Sequence, residues 1–194
     1  MGVPAVFMDR DGTINDEMGY INHISRFKLL PRSAAAIRLI NQNSFKTVII
    51  TNQSGVGRGY FPEKLVEEIH DNLKRGLSQE GAHIDGIYYC PHHPFLGMGK
   101  YKKDCECRKP KIGMIKKAAK ELDIDLSRSY MVGDRGADIQ MAKEFGGKGV
   151  LVLTGYGKGE YEYLNHTWPK KPDYIAEDLY DAVEWILRDA KKQD

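Results

Sequence analysis

Cysteine is scarce in this chain, with three among 194 residues. So small and odd a number cannot build a disulfide framework, which excludes the small secreted domains that depend on one. Long hydrophobic runs are missing too: no apolar stretch approaches the roughly 20 residues that a membrane-spanning helix needs. Charge imbalance is also absent, since 29 Lys and Arg stand against 27 Asp and Glu. The net charge of +2 gives no basis for nucleic-acid binding. There are no internal repeats or low-complexity linkers, and no secretory leader is expected, since apolar patterning starts almost at once. What remains is an ordinary globular composition, 41% apolar and 29% charged. The expectation is a cytoplasmic monomer with one domain over 1–194 and a substantial core.

Against that plain background one stretch stands out. Ala5-Val6-Phe7-Met8 leads straight into Asp9-Arg10-Asp11-Gly12-Thr13-Ile14. The apolar run is short and ends in turn chemistry, so it reads as a buried strand. Such a strand delivers two carboxylates to the C-terminal edge of a parallel sheet, where open α/β folds place their chemistry. Carboxylates that close repel unless a cation or shared proton holds them. Magnesium, a hard ion that prefers oxygen ligands, is the expected neutraliser. Gly12 is expected to adopt backbone angles closed to other residues and to leave space for a bulky anion.

The rest of the chain alternates strand and helix. Pro31 is expected to open a helix carrying Ala34, Ile37 and Ile40. Thr47–Thr51 is a β-branched strand, followed by a loop rich in glycine, Asn52-Gln53-Ser54-Gly55-Val56-Gly57-Arg58-Gly59. Pro62 is expected at the first position of the next helix, whose Leu65, Ile69, Leu73 and Leu77 make a core stripe. His70 lies beside that stripe and reads as an ordinary surface or packing histidine. Further strands are expected over 84–90, 130–133 and 149–153, with a short edge strand at 173–176. Helices are expected over 112–122 and 137–145, and a last one carries Leu179, Val183, Ile186 and Leu187. Residues 154–172 read as an exposed loop. This alternation demands a parallel sheet covered on both faces.

Three strand ends then converge: Asp9 with Asp11, Thr51, and Asp134. Taken singly, Thr51 is a plain strand residue, Asp134 a helix N-cap and Lys109 a solvated charge. Their joint placement after apolar strands is what marks a site. Cys90-Pro91-His92-His93 and Cys105-Glu106-Cys107 supply three sulfurs and an imidazole, a set suited to tetrahedral zinc, with His92 and His93 as rival nitrogen ligands. The loop between them has few core formers and needs a staple.

Asp9-x-Asp11-Gly12-Thr13 resembles the first motif of the haloacid dehalogenase-like (HAD) phosphohydrolases. Across nearly the whole chain the sequence is similar to the D,D-heptose 1,7-bisphosphate phosphatase branch of that family. Thr51-Asn52-Gln53-Ser54-Gly55, Tyr88-Tyr89-Cys90-Pro91-His92-His93-Pro94, Cys105-Glu106-Cys107-Arg108-Lys109-Pro110 and Gly133-Asp134-Arg135 carry the closer match. The resemblance implies a Rossmann-like three-layer sandwich around a central parallel sheet. It further implies an essentially capless fold with a zinc-stapled loop at 90–107. It implies Asp9 as nucleophile, Asp11 as proton donor and acceptor, and Thr51 and Lys109 as stabilisers of the phosphoryl group. Magnesium would be held by Asp9, Asp134 and the Asp11 backbone carbonyl, with Asp138 in support. Structural zinc would sit on Cys90, His92, Cys105 and Cys107.

Without a cap, specificity for a phosphorylated sugar is expected from loops. These are Glu17, Met18, Gly19 and Tyr20; Asn52, Gln53 and Ser54; and Arg58, Arg108 and Arg135. A histidinol-phosphate phosphatase would share the fold, catalytic residues and zinc ligands, and it stays as the alternative. A receiver domain also gathers Asp, Thr and Lys at a sheet edge, but has no use for a zinc loop. A zinc-dependent interaction module would have no use for the catalytic set.

Overall fold

Six parallel strands form one sheet in the order β3-β2-β1-β4-β5-β6. They are β1 (Ala5–Met8), β2 (Lys46–Asn52), β3 (Gly86–Cys90), β4 (Tyr130–Gly133), β5 (Lys148–Val152) and β6 (Tyr174–Ala176). The chain is seen in a computed structural model that describes residues 2–192. Among the described residues, five helices longer than two turns cover the sheet: α1 (Ser33–Asn41), α2 (Glu63–Gln79), α3 (Gly113–Leu122), α4 (Gly136–Glu144) and α5 (Leu179–Ala190).

Alternation along each buried strand feeds two cores. Val6, Met8, Ile49, Val132 and Val150 join Ile37, Leu73, Val183 and Ile186 on one face. Ala5, Phe7, Val48, Ile50 and Met131 join Ile115, Ala118 and Met141 on the other. Both faces of each inner strand are therefore apolar, as a parallel sheet requires. Phe7 meets Phe145 edge to face, with ring centroids 5.6 Å apart. Full burial of such a side chain contributes about 1.5–3 kcal/mol.

Several boundaries shift. Helix α1 starts at Ser33, because Arg32 before it adopts a left-handed φ of 64°. In α1 the fully buried alanine is Ala36, and Ala34 is only half-buried. Pro62 is the N-cap of α2, extended at ψ 151°, so the helix proper begins one residue later. The expected loop after β5 winds into short turns at Gly157–Gly159, Glu160–Leu164 and Asn165–Thr167. Between β1 and α1 the chain adds only a loop with one turn, Ile24–Arg26. The fold is thus essentially capless, and its C-terminal sheet edge stays open. Among the described residues, no helix is long and apolar enough to cross a membrane.

Candidate active site

Asp9 follows β1 directly, and its position is fixed from two sides. Its Oδ1 accepts from the Arg10 N–H at 2.7 Å, and its Oδ2 lies 2.7 Å from Lys109 Nζ. The same ammonium lies 2.7 Å from Asp138 Oδ1. Burial alone would depress Lys109, but the Asp138 and Asp9 carboxylates outweigh it and raise it. It is a fixed cation at the strand ends.

Asp134 follows β4 directly and is buried beside them. Burial, and then repulsion from Asp9 and Asp138, push it up to about 8. Its Oδ2 accepts from the Tyr156 N–H at 2.8 Å, whereas Oδ1 is buried with no hydrogen-bond partner. Oxygens of Asp9, Asp134 and Asp138 lie within 4.8 Å of one another. Crowded carboxylates with an orphaned oxygen fit a hard divalent cation. The Asp11 carboxylate is not part of this cluster.

Gly12 has φ +81°, and a Cβ there would sit 2.2 Å from Asp134 Oδ2. Its missing side chain makes room for that carboxylate. Gly155 at φ +55° packs against Gly12 for the same reason, which brings Tyr156 to the site. Thr154 Oγ1 donates to the Gly12 carbonyl at 2.6 Å and closes the contact.

Asp11 is gripped by three side chains. The Arg10 fork reaches it at 2.8–3.2 Å, Asn15 Nδ2 at 2.9 Å and Gln53 Nε2 at 2.8 Å. Burial would raise its carboxyl, but the Arg10 charge and these bonds hold it below the usual range. Glu17 is shifted the other way, raised chiefly by burial.

Asp9, Asp11, Thr51 and Lys109 line one cleft of about 430 Å³. Glu17, Gly19, Tyr20, Asn52, Ser54, Arg108 and Arg135 line it as well. Two of the expected substrate residues do not. Gln53 is buried and turned to Asp11 and to Thr51 Oγ1, which it meets at 3.0 Å. Met18 is 40% exposed and stands off the cleft, since Glu17 and Tyr20 face inward in its place. Arg58, Ala137, Asp138 and Tyr156 also line the cleft. Of these, Tyr156 carried no sequence signal; its ring lies 3.8 Å from the Arg135 guanidinium. His70, expected as an ordinary packing or surface residue, is 6% exposed and bonded to Arg10.

The cysteine cluster lies at the end of β3. Cys90, His92, Cys105 and Cys107 bring three Sγ atoms and Nδ1 within 4.8 Å of one another. Sulfur separations of 3.1–3.4 Å are far longer than a disulfide, about 2.05 Å. Three sulfurs and one nitrogen at these spacings are compatible with tetrahedral zinc. His93 is turned away and accepts from the Phe95 and Leu96 N–H groups.

Comparison with known proteins agrees with this geometry. The HAD-hydrolase-like family model matches residues 106–182. The chain is 40% identical to a D-glycero-beta-D-manno-heptose-1,7-bisphosphate 7-phosphatase of Haemophilus ducreyi, over 96% of this chain and 100% of that one. It is 42% identical to a D-glycero-D-manno-heptose-1,7-bisphosphate 7-phosphatase of Thermosynechococcus vestitus, over 94% and 95%. Among solved structures, a D,D-heptose 1,7-bisphosphate phosphatase from B. bronchiseptica, complexed with magnesium and phosphate, superposes with TM-score 0.84. It is 34% identical and covers 96% of this chain and 99% of its own.

Proposed function

The chain belongs to the D-glycero-D-manno-heptose-1,7-bisphosphate 7-phosphatases of the HAD-like hydrolases, and from that premise we propose that it hydrolyses the 7-phosphate of a heptose 1,7-bisphosphate. The carrying observation is the Asp9–Lys109 pair in a cleft that Arg58, Arg108 and Arg135 also line. A carboxylate beside a fixed cation suits attack on phosphorus, and surrounding guanidinium groups suit a doubly phosphorylated substrate.

In this mechanism the Asp9 carboxylate attacks phosphorus, the bond from phosphorus to the C7 oxygen breaks, and an aspartyl-phosphate remains. Asp11, once protonated against the pull of the Arg10 charge, gives that proton to the departing alkoxide, then takes one from the water that hydrolyses the acyl phosphate. Asp9 is regenerated and inorganic phosphate leaves. Thr51 and Lys109 stabilise charge on the equatorial oxygens. Asp138 holds Lys109 in reach. Asp9, Asp134 and the Asp11 backbone carbonyl would hold magnesium, which supplies positive charge between the carboxylates and the phosphate.

Cys90, His92, Cys105 and Cys107 would hold zinc in a structural role, since all four positions are protein ligands. That staple would fix Arg108, which follows Cys107 and donates from Nη1 to the His92 carbonyl at 3.1 Å. One sheet with a core on each face supports a single domain over 1–194. We expect it to work as a cytoplasmic monomer, which sedimentation would check.

The test is a substrate panel: both anomers of the heptose bisphosphate, histidinol phosphate and fructose 1,6-bisphosphate. The heptose bisphosphates should give the highest kcat/KM. Preference for histidinol phosphate would overturn the substrate assignment.

A further inference from the structure

Arg10 is the largest charged side chain in the interior, 1% exposed, and it does not line the cleft. Its Nε and Nη2 grip Asp11, at 3.2 Å for Nε to Oδ1 and at 3.0 and 2.8 Å for Nη2 to the two carboxylate oxygens. Its other terminal nitrogen, Nη1, lies 3.1 Å from His70 Nε2. A guanidinium has only donors, so Nε2 must offer its lone pair and the His70 ring must be neutral with its proton on Nδ1. Helix α2 therefore reaches Asp11 through two side chains in series. His70 is itself wedged edge to face against Tyr89, with centroids 5.6 Å apart.

The geometry points to His70 and Arg10 as positioning residues that set the orientation of Asp11 toward the leaving oxygen. This rests on the reading of Asp11 as the proton donor. Asp11 is the one member of the chain His70–Arg10–Asp11 that reaches the cleft. With Asn15 donating to Oδ1 and Gln53 to Oδ2 as well, the fork fixes the plane of the Asp11 carboxyl, and with it the direction in which a proton on it can be delivered. The fork is fixed in its turn only if its third nitrogen is anchored. Without His70, Nη1 is a buried donor with no acceptor, and the guanidinium plane is free to turn. The rival is that His70 merely satisfies a buried arginine and serves the fold alone.

Leaving groups separate the two. A p-nitrophenolate departs without a proton, whereas the C7 alkoxide of heptose 1,7-bisphosphate must receive one. The ratio of kcat/KM for the bisphosphate to kcat/KM for p-nitrophenyl phosphate therefore reads proton donation and cancels general damage. His70→Leu, which cannot accept, should lower that ratio about tenfold. His70→Gln, whose amide oxygen can accept from Nη1, should restore most of it. Arg10→Lys keeps the charge but loses the fork, and should lower the ratio as His70→Leu does. It serves as the second variant should His70→Leu fail to fold.

Equal losses on both substrates in His70→Leu and Arg10→Lys, or His70→Gln no better than His70→Leu, would overturn the proposal. Asp11→Asn is the control on the underlying reading. It should lower the ratio about a hundredfold. If Asp11→Asn does so while the His70 and Arg10 variants leave the ratio alone, only the positioning role fails. If Asp11→Asn lowers both substrates equally, the proton-donor reading fails and the positioning role falls with it.

Discussion

Asn52 holds Lys109 by both of its backbone polar groups. Its Oδ1 accepts from the Lys109 N–H at 3.1 Å, and its Nδ2 lies 3.4 Å from the Lys109 carbonyl. Sequence reasoning put Asn52 against the substrate; it does line the cleft, but its amide is committed to the lysine. Each such bond contributes about 0.5–1.5 kcal/mol. Asn52→Ala should therefore misplace the ammonium and lower kcat about tenfold. Because Lys109 serves the reacting phosphate, the loss should appear with p-nitrophenyl phosphate as well as with a bisphosphate. A loss confined to the bisphosphate would return Asn52 to substrate recognition.

Asp9→Asn should abolish turnover with the fold intact. An amide cannot attack phosphorus effectively, and it is a poor magnesium ligand. Lys109 keeps a carboxylate partner in Asp138, so the buried ammonium is not stranded. Expected outcomes are an unchanged circular dichroism spectrum and activity down by more than about a thousandfold. Activity within tenfold of the parent would sink the nucleophile assignment.

Most of the architecture was legible because a parallel sheet writes itself as apolar runs. Ala5–Met8 and Tyr130–Gly133 are buried throughout, and their limits read directly off the sequence. Helix starts were blurred where the backbone, not the side-chain pattern, decides. The left-handed Arg32 moves α1 to Ser33, a conformation that no side chain there advertises. Asp9, Asp11 and Asp134 were legible because they follow strands, and Thr51 because it sits at the end of one, whereas Lys109 was read from its motif behind the cysteine pair. Arg10 and His70 were not legible: they meet across sixty positions of sequence, and a buried arginine looks like any solvated charge until its partners are known. Tyr156 lies in a stretch with no hydrophobic period, so nothing announced its approach to Asp134.

His70 gives the protein a pH signature. Burial, then the Arg10 charge, push it down to about 3 from its ordinary 6.5. Between those values the unfolded chain binds a proton that the folded chain refuses, so stability falls as pH drops below about 6.5. Above that pH both forms are neutral and this group contributes no slope. From pH 7 to 5 the parent should lose about 2 kcal/mol on this account. His70→Gln should lack that part of the loss. Urea unfolding of both proteins at pH 7 and pH 5 checks it; parallel losses would contradict a neutral buried His70.

One zinc per chain should co-purify with the protein. Cys107→Ser should then loosen the 90–107 segment more than the sheet, since structural zinc contributes about 10–16 kcal/mol to holding its ligands together. Hydrogen exchange should rise across that segment, while β1 and β4 stay protected. Metal analysis without zinc, together with three freely titratable thiols in the native protein, would refute the assignment.

Arg108 should separate recognition from chemistry. It lines the cleft beside Lys109, yet its Nη1 is tied to the His92 carbonyl at 3.1 Å and so to the cysteine cluster. Lys109 faces Asp9, where the charge changes during phosphoryl transfer, so losing Lys109 must lower kcat. Arg108 has no contact with Asp9 or Asp138, and suits a part of the substrate that does not react, such as a sugar hydroxyl or the 1-phosphate. A charge-assisted bond of that kind contributes about 1.5–3 kcal/mol, or roughly ten- to a hundredfold in kcat/KM. Arg108→Ala should thus cost the bisphosphate ten- to a hundredfold more than it costs p-nitrophenyl phosphate, which has no second phosphate to grip. Measuring kcat/KM for both substrates in parent and variant decides it. Equal losses would mean that Arg108 serves the transferring phosphate, and that recognition of the second one lies with Arg58 or Arg135.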